Sequence, residues 1–98
     1  MPVAIASFDD RSAESFYVSG KVPKGTGWSN AARIVQRKLD MIQYAGQLAD
    51  LSSPPGDQLE ALAGGLRGWH SIRVNDQWRV IFIWRKDGAH SVKVVDYH

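Results

Sequence analysis

The apolar positions change period once along the chain, near residue 59. Before that point they recur at three- and four-residue steps, the spacing of a helix face; after it they alternate, the spacing of a strand. Val3 to Phe8 is a short apolar run suited to an initial strand. Asp9 is the predicted cap of a short helix over Asp10 to Val18, with Ala13, Phe16 and Tyr17 on one face and Gly20 as its stop. Lys21 to Gly27 (KVPKGTG) is rich in glycine and proline and predicts a loop. A longer helix follows, capped at Ser29, with Ala31, Ile34, Val35, Leu39, Ile42, Ala45 and Leu48 toward a core. Arg33, Arg37, Lys38 and Asp40 occupy its opposite, solvated face, and the Ser52 to Gly56 stretch (SSPPG) is expected to end it, because proline cannot continue a helix.

From Leu59 onward, His70, Ile72 and Val74 alternate with Trp69, Ser71 and Arg73. After Asn75-Asp76-Gln77, the run to Trp84 places Trp78, Val80, Phe82 and Trp84 on one face. Asp87-Gly88 predicts a hairpin turn and Val92 to Val95 a last strand. Strand, two helices and an antiparallel meander make an α+β domain with the helices on one side of a sheet. Ninety-eight residues are enough for one such domain (1–98) and too few for two.

The register of the hairpin at Asn75 to Gln77 follows from burial. A one-residue slip would turn a whole strand inside out. A three-residue connection pairs Val74 with Trp78 and Ile72 with Val80, which gives a continuous apolar face. The same register sets Arg73 opposite Arg79 on the other face. Like charges across strands repel mildly; two guanidiniums around one anion instead form several charge-assisted hydrogen bonds, and arginine suits a phosphate better than lysine. A two-residue turn at Asn75-Asp76 would put the two arginines on opposite faces, and two merely solvated arginines remain an open reading here.

Composition changes this picture little. Lys and Arg number 12 against 10 Asp and Glu, so affinity for nucleic acid has to come from a local patch rather than from net charge. The absence of cysteine excludes disulfides and thiolate metal sites and fits a cytoplasmic protein. No run approaches the ~20 apolar residues of a membrane span, and Met1 to Phe8 lacks the basic leader of a signal peptide. His70, His90 and His98 are too scattered for a metal motif, so no metal or other cofactor is expected. His70 is expected to face the helices and to be structural. Trp69 falls on the arginine face, where an indole can stack on a base. The chain closes on Asp96-Tyr97-His98 directly after a strand. Histidine moves protons near neutral pH, tyrosine donates hydrogen bonds or stacks, and aspartate orients a neighbour; a solvated polar terminus is the plainer alternative.

The string Ser71-Ile-Arg-Val-Asn-Asp-Gln-Trp-Arg79, the apolar strand after it and the terminal Val95-Asp-Tyr-His98 resemble the HigB branch of the RelE-type toxins. The stretch from Ser53 to Gly64 (SPPG…LEAL…G) is similar to the segment that precedes this hairpin in the family, so the resemblance is strongest over residues 53–98. It implies a microbial-RNase-like (RelE-like) fold and a toxin that cleaves messenger RNA in the ribosomal decoding site. The implied partner is a small helix-turn-helix antitoxin of the HigA kind. By position, Arg79 matches the arginine at the scissile phosphate, Arg73 a basic substrate-binding position, and Asp96, Tyr97 and His98 the terminal acid–base group. The implied reaction is attack by the ribose 2′-hydroxyl on phosphorus, without a metal. Some relatives supply an extra His or Lys before the hairpin; here Leu59 to Ala63 offers only Glu60, an accessory base or a surface residue. A non-catalytic antitoxin- or ribosome-binding module of the same fold, and an interaction domain with no RNA role, stay open at this point.

Overall fold

A computed structural model describes residues 4–52 and 58–96. Val3 of the expected first strand, the Ser53 to Gly56 helix stop, Tyr97 and His98 lie outside the described residues. In chain order the elements are β1 (Ala4–Ile5), α1 (Arg11–Ser19), α2 (Ala32–Tyr44), β2 (Glu60–Ala61), β3 (Trp69–Arg73), β4 (Trp78–Arg85) and β5 (Gly88–Asp96). The sheet order is β1-β5-β4-β3-β2. Strands β2 to β5 form the antiparallel meander, and β1 lies parallel beside β5. Phe16, Val35, Leu39 and Ile42 from the helices meet Ile72, Val80, Phe82, Ala89 and Val92 from the sheet in one buried core. The α+β architecture is thus the expected one. No helix among the described residues is long and apolar enough to cross a membrane.

Helix α1 begins one residue later than expected, because Asp10 rather than Asp9 caps it. One carboxylate oxygen of Asp10 accepts from the Ala13 amide (3.1 Å), and the other accepts from the Val94 amide (3.0 Å). A residue that satisfies both a helix start and a sheet strand outcompetes its neighbour for the capping position. Gly20 ends the helix at φ +79°, its N–H donating to the Phe16 carbonyl.

Helix α2 departs from expectation at both ends. A 3-10 turn at Ser29–Ala31 leads into it, and Ser29 is not its cap. It stops at Tyr44, well before the prolines. The carboxylate of Asp50 captures the amides of Gly46 (2.8 Å) and Gln47 (3.2 Å), which draws the chain out of the helix. A 3-10 turn at Leu48–Ser52 then buries Leu51, so the apolar spacing outlasts the helix itself. Lys38 is buried and does not belong to a solvated face; Arg33 and Arg37 are exposed. The Tyr17 hydroxyl donates to Asp40 (2.8 Å) and joins the two helices; burial, then this bond, raises the tyrosine's pKa.

The β3–β4 hairpin has the expected register, with Ile72 opposite Val80 and Arg73 opposite Arg79. The Val74 amide donates to the Trp78 carbonyl (2.9 Å), and the Asn75 side chain accepts from the amides of Gln77 (2.9 Å) and Trp78 (2.8 Å). The β4–β5 turn falls one residue earlier than expected, with Arg85 paired to Gly88 and Lys86-Asp87 between them. That register keeps Trp84 opposite the buried Ala89; a slip to Asp87-Gly88 would set it against Ser91. Strand β5 is also longer than Val92 to Val95. Its alternation breaks at a bulge, where Ser91 at φ +55° and Val92 together face Phe82, which lets Ala89 and Val92, three residues apart, both point inward.

Asp10→Ala removes the cap and the tie to β5 together. The expected loss is about 1–3 kcal/mol in urea denaturation, with Asp10→Asn intermediate because its amide oxygen replaces one acceptor and not both. His70 stacks on Phe82 on the helix side, and burial holds its pKa below the usual 6.5. The unfolded chain then binds that proton first, so stability is untouched above pH 6.5 and falls as pH drops below it. Between about pH 7 and pH 5, wild type is expected to lose more stability than His70→Phe; parallel profiles would remove His70 from the acid response.

Candidate active site

The face of the sheet turned away from the helices carries the polar chemistry. Alternation sends Trp69, Ser71 and Arg73 of β3 to it, and pairing brings Arg79, Ile81 and Ile83 of β4 beside them. Lys93 and Val95 follow from β5, next to Ile81 and Arg79, and Glu60 from β2, next to Ser71. Because Val74 and Trp78 share a backbone hydrogen bond, the adjoining Arg73–Arg79 pair is of the close, non-hydrogen-bonded kind, with Cα atoms roughly 4.5 Å apart.

Like charges on neighbouring strands call for counter-charges, and both arginines meet a carboxylate. Arg79 Nη1 donates to Glu60 Oε1 (2.7 Å) and its Nη2 to the Gln58 carbonyl (2.9 Å). The Arg79 side chain is 8% exposed, whereas Glu60 is 52% exposed, so the guanidinium is held while its acid still reaches solvent. Arg73 pairs with Asp76 of the turn, and here the partner is 98% exposed. An exposed i,i+3 pair of this kind is worth little and yields readily to a phosphate. The arrangement can therefore present one fixed and one adjustable guanidinium to a single anion.

Glu60, read from the sequence as an accessory base or a surface residue, is half exposed and accepts from the Arg79 guanidinium. Asp96 is not brought to this face. It pairs with Trp78, which points toward the helices, and its carboxylate accepts from Gln77 Nε2 (3.1 Å). The alternation of Val92, Val94 and Asp96 carried that signal. Tyr97 and His98, expected beside the arginines, lie outside the described residues. Residue typing missed the Gln58 carbonyl, held at φ +48°, which no side-chain pattern announces. It also missed Ser71, whose buried hydroxyl has no hydrogen-bond partner among the described residues; its alternation with Arg73 was the available clue. Among the described residues no group of three or more His, Asp or Glu side chains is placed to hold a metal ion.

Residues 6–98 match the HigB-like toxins, described as "RelE-like toxin of type II toxin-antitoxin system HigB". The chain is 39% identical over 95 residues to Toxin HigB-1 of Vibrio cholerae, covering 93% of this chain and 94% of that one. It is 38% identical over 64 residues to an uncharacterized protein of Haemophilus influenzae, covering 65% of this chain and 63% of the other. In fold it is similar to YoeB from Staphylococcus aureus, solved as a dimer, with a TM-score of 0.54 at 13% identity over 100% of this chain and 99% of that one. A toxin of a type II pair has an antitoxin as its partner. With a family match that runs from residue 6 to residue 98 and takes in β2 to β5, the chain belongs to the HigB-like, RelE-type toxins of type II toxin–antitoxin systems.

Proposed function

We propose that this toxin is an endoribonuclease that cuts messenger RNA in the ribosomal decoding site, and that it acts in the cytoplasm until a HigA-like helix-turn-helix antitoxin covers it. The observation that carries this reading is the Arg73–Arg79 cross-strand pair, with Glu60 on Arg79. A solvated sheet face has no use for a buried arginine whose acid remains half exposed. A phosphate-binding face does.

In the proposed reaction a backbone phosphate displaces Asp76 from Arg73 and shares Arg79 with Glu60. The 2′-hydroxyl gives its proton to Glu60 as the 2′-O–P bond forms. The P–O5′ bond breaks, and His98 protonates the departing oxygen. The products are a 2′,3′-cyclic phosphate and a 5′-hydroxyl. Arg79 stabilises the charge that builds on the phosphoryl oxygens, and its desolvated setting strengthens that interaction. Tyr97 positions the substrate. Asp96, bonded to Gln77, anchors the end of β5 from which these two residues extend. The nucleophile belongs to the substrate, so no metal-activated water is required.

Induced expression is expected to arrest growth and to leave messages with 5′-hydroxyl ends. Arg79→Ala is expected to lower cleavage by about 10²-fold or more, with Arg79→Lys a poor substitute because it lacks the planar fork. Glu60→Gln should lower it by roughly 10²-fold, and toxin stripped with EDTA and then returned to intact ribosomes in magnesium buffer should cut as untreated toxin does. If Arg79→Ala and a chain lacking residues 96–98 remain as toxic as wild type, the protein acts by binding alone.

A further inference from the structure

We infer that Trp69 and Lys93 form a stacking subsite for one base of the bound RNA, one to two nucleotides from the phosphate held by Arg73 and Arg79. This rests on the ribonuclease reading above and adds to it where the substrate's base is gripped.

The two residues meet from strands that do not pair with each other. Lys93 sits on β5 beside Ile81, and Trp69 on β3 beside Ile83, with β4 between them. Across β4, the Lys93 ammonium and the centre of the Trp69 ring lie 5.1 Å apart, within the ~6 Å range of a cation–π contact. Ile81, beneath this crossing, is buried on a sheet face that the helices do not cover. The pair therefore closes over the sheet at one end of the same face on which the arginines stand at the other.

Spacing makes the pair a subsite of one groove. Lys93 is two residues from Val95, the neighbour of Arg79, or about 7 Å along the strand. Trp69 is four residues from Arg73 on the same face, or about 13 Å. An extended single strand laid from the arginines toward Trp69 places the next base or the one after it over the indole. In the free protein the ammonium covers the ring and also lies 3.8 Å from Asp9. A stacked base takes its place on the ring, and the half-buried lysine turns its charge to the adjoining phosphate. Single-strand binding sites combine an aromatic platform with a cation in this way.

The test is an abasic scan. A fluorescein-labelled 2′-O-methyl RNA octamer, which lacks the nucleophile, is titrated with the full chain while a single abasic nucleotide is moved along it. Wild type is expected to bind about tenfold more weakly when one particular position loses its base. Trp69→Phe should keep that dependence and Trp69→Ala should abolish it; thermal unfolding of each variant reports whether it is folded. Lys93→Met keeps the stem and should reduce the slope of log affinity against log salt by about one. Equal binding of every abasic octamer, no measurable binding by wild type, or an unchanged scan in folded Trp69→Ala overturns the subsite. Should Trp69→Ala not fold, Trp69→Phe and Lys93→Met decide: an abasic penalty lost in the first, or an unchanged salt slope in the second, overturns it. A flat scan together with cleavage that is lost in Arg79→Ala removes the subsite and leaves the nuclease. A base-dependent scan without cleavage does the reverse.

Discussion

The parity of the β3–β4 hairpin is the constraint on which the rest of the molecule depends. Side chains of a strand alternate between two faces, so one residue more or less between Val74 and Trp78 would exchange the core for the surface along the whole strand. Asn75 helps set that count by accepting two amides across the turn. Burial of Ile72, Val80 and Phe82 then holds it from the other side. The two arginines face each other because the apolar residues between them face the helices. The arginine pair is thus positioned by hydrophobic forces that do not involve it.

That juxtaposition has an electrostatic cost, and the way it is offset explains the site's asymmetry. Arg79, nearly out of water, needs a close partner, since an uncompensated buried charge costs several kcal/mol. Glu60 supplies the charge and the Gln58 carbonyl a second acceptor. Arg73 is exposed enough for water to share its solvation, and a turn residue suffices. Arg79 is consequently held in place, as the electrostatic preorganisation of the proposed reaction requires. Arg73 keeps the freedom to close on an anion.

Besides the buried core, polar groups near the start of the chain tie the segment around α1 to β5. The carboxylate of Asp10 starts α1 and receives the Val94 amide, so the helix and β5 share one group. Ser7 does the same at the bulge, its hydroxyl accepting from the Ser91 amide and its carbonyl from the Val92 amide. These bonds hold β5 in the register that brings Lys93 and Val95 to the outer face and Asp96 to the inner one. The strand that leads to the terminal residues is therefore aligned by contacts made near the start of the chain.

The sequence by itself determined what depends on neighbours a few residues apart. Element order, the stop at Gly20, the inward turn of His70 and the facing arginines all follow from period and turn chemistry. Tertiary structure decided what depends on groups far apart in the chain. Asp10 displaced Asp9 as the cap because an amide 84 residues away also needed an acceptor. Glu60, which the sequence left between accessory base and surface residue, was paired with Arg79, 19 residues on. Asp50 ended α2 by capturing two amides that the apolar period had assigned to a helix, and the bulge at Ser91 interrupted an alternation that would otherwise have marked the whole of β5. Hydrophobic period is a local signal, whereas the pairing of a buried charge or an orphan amide is settled only when distant segments meet.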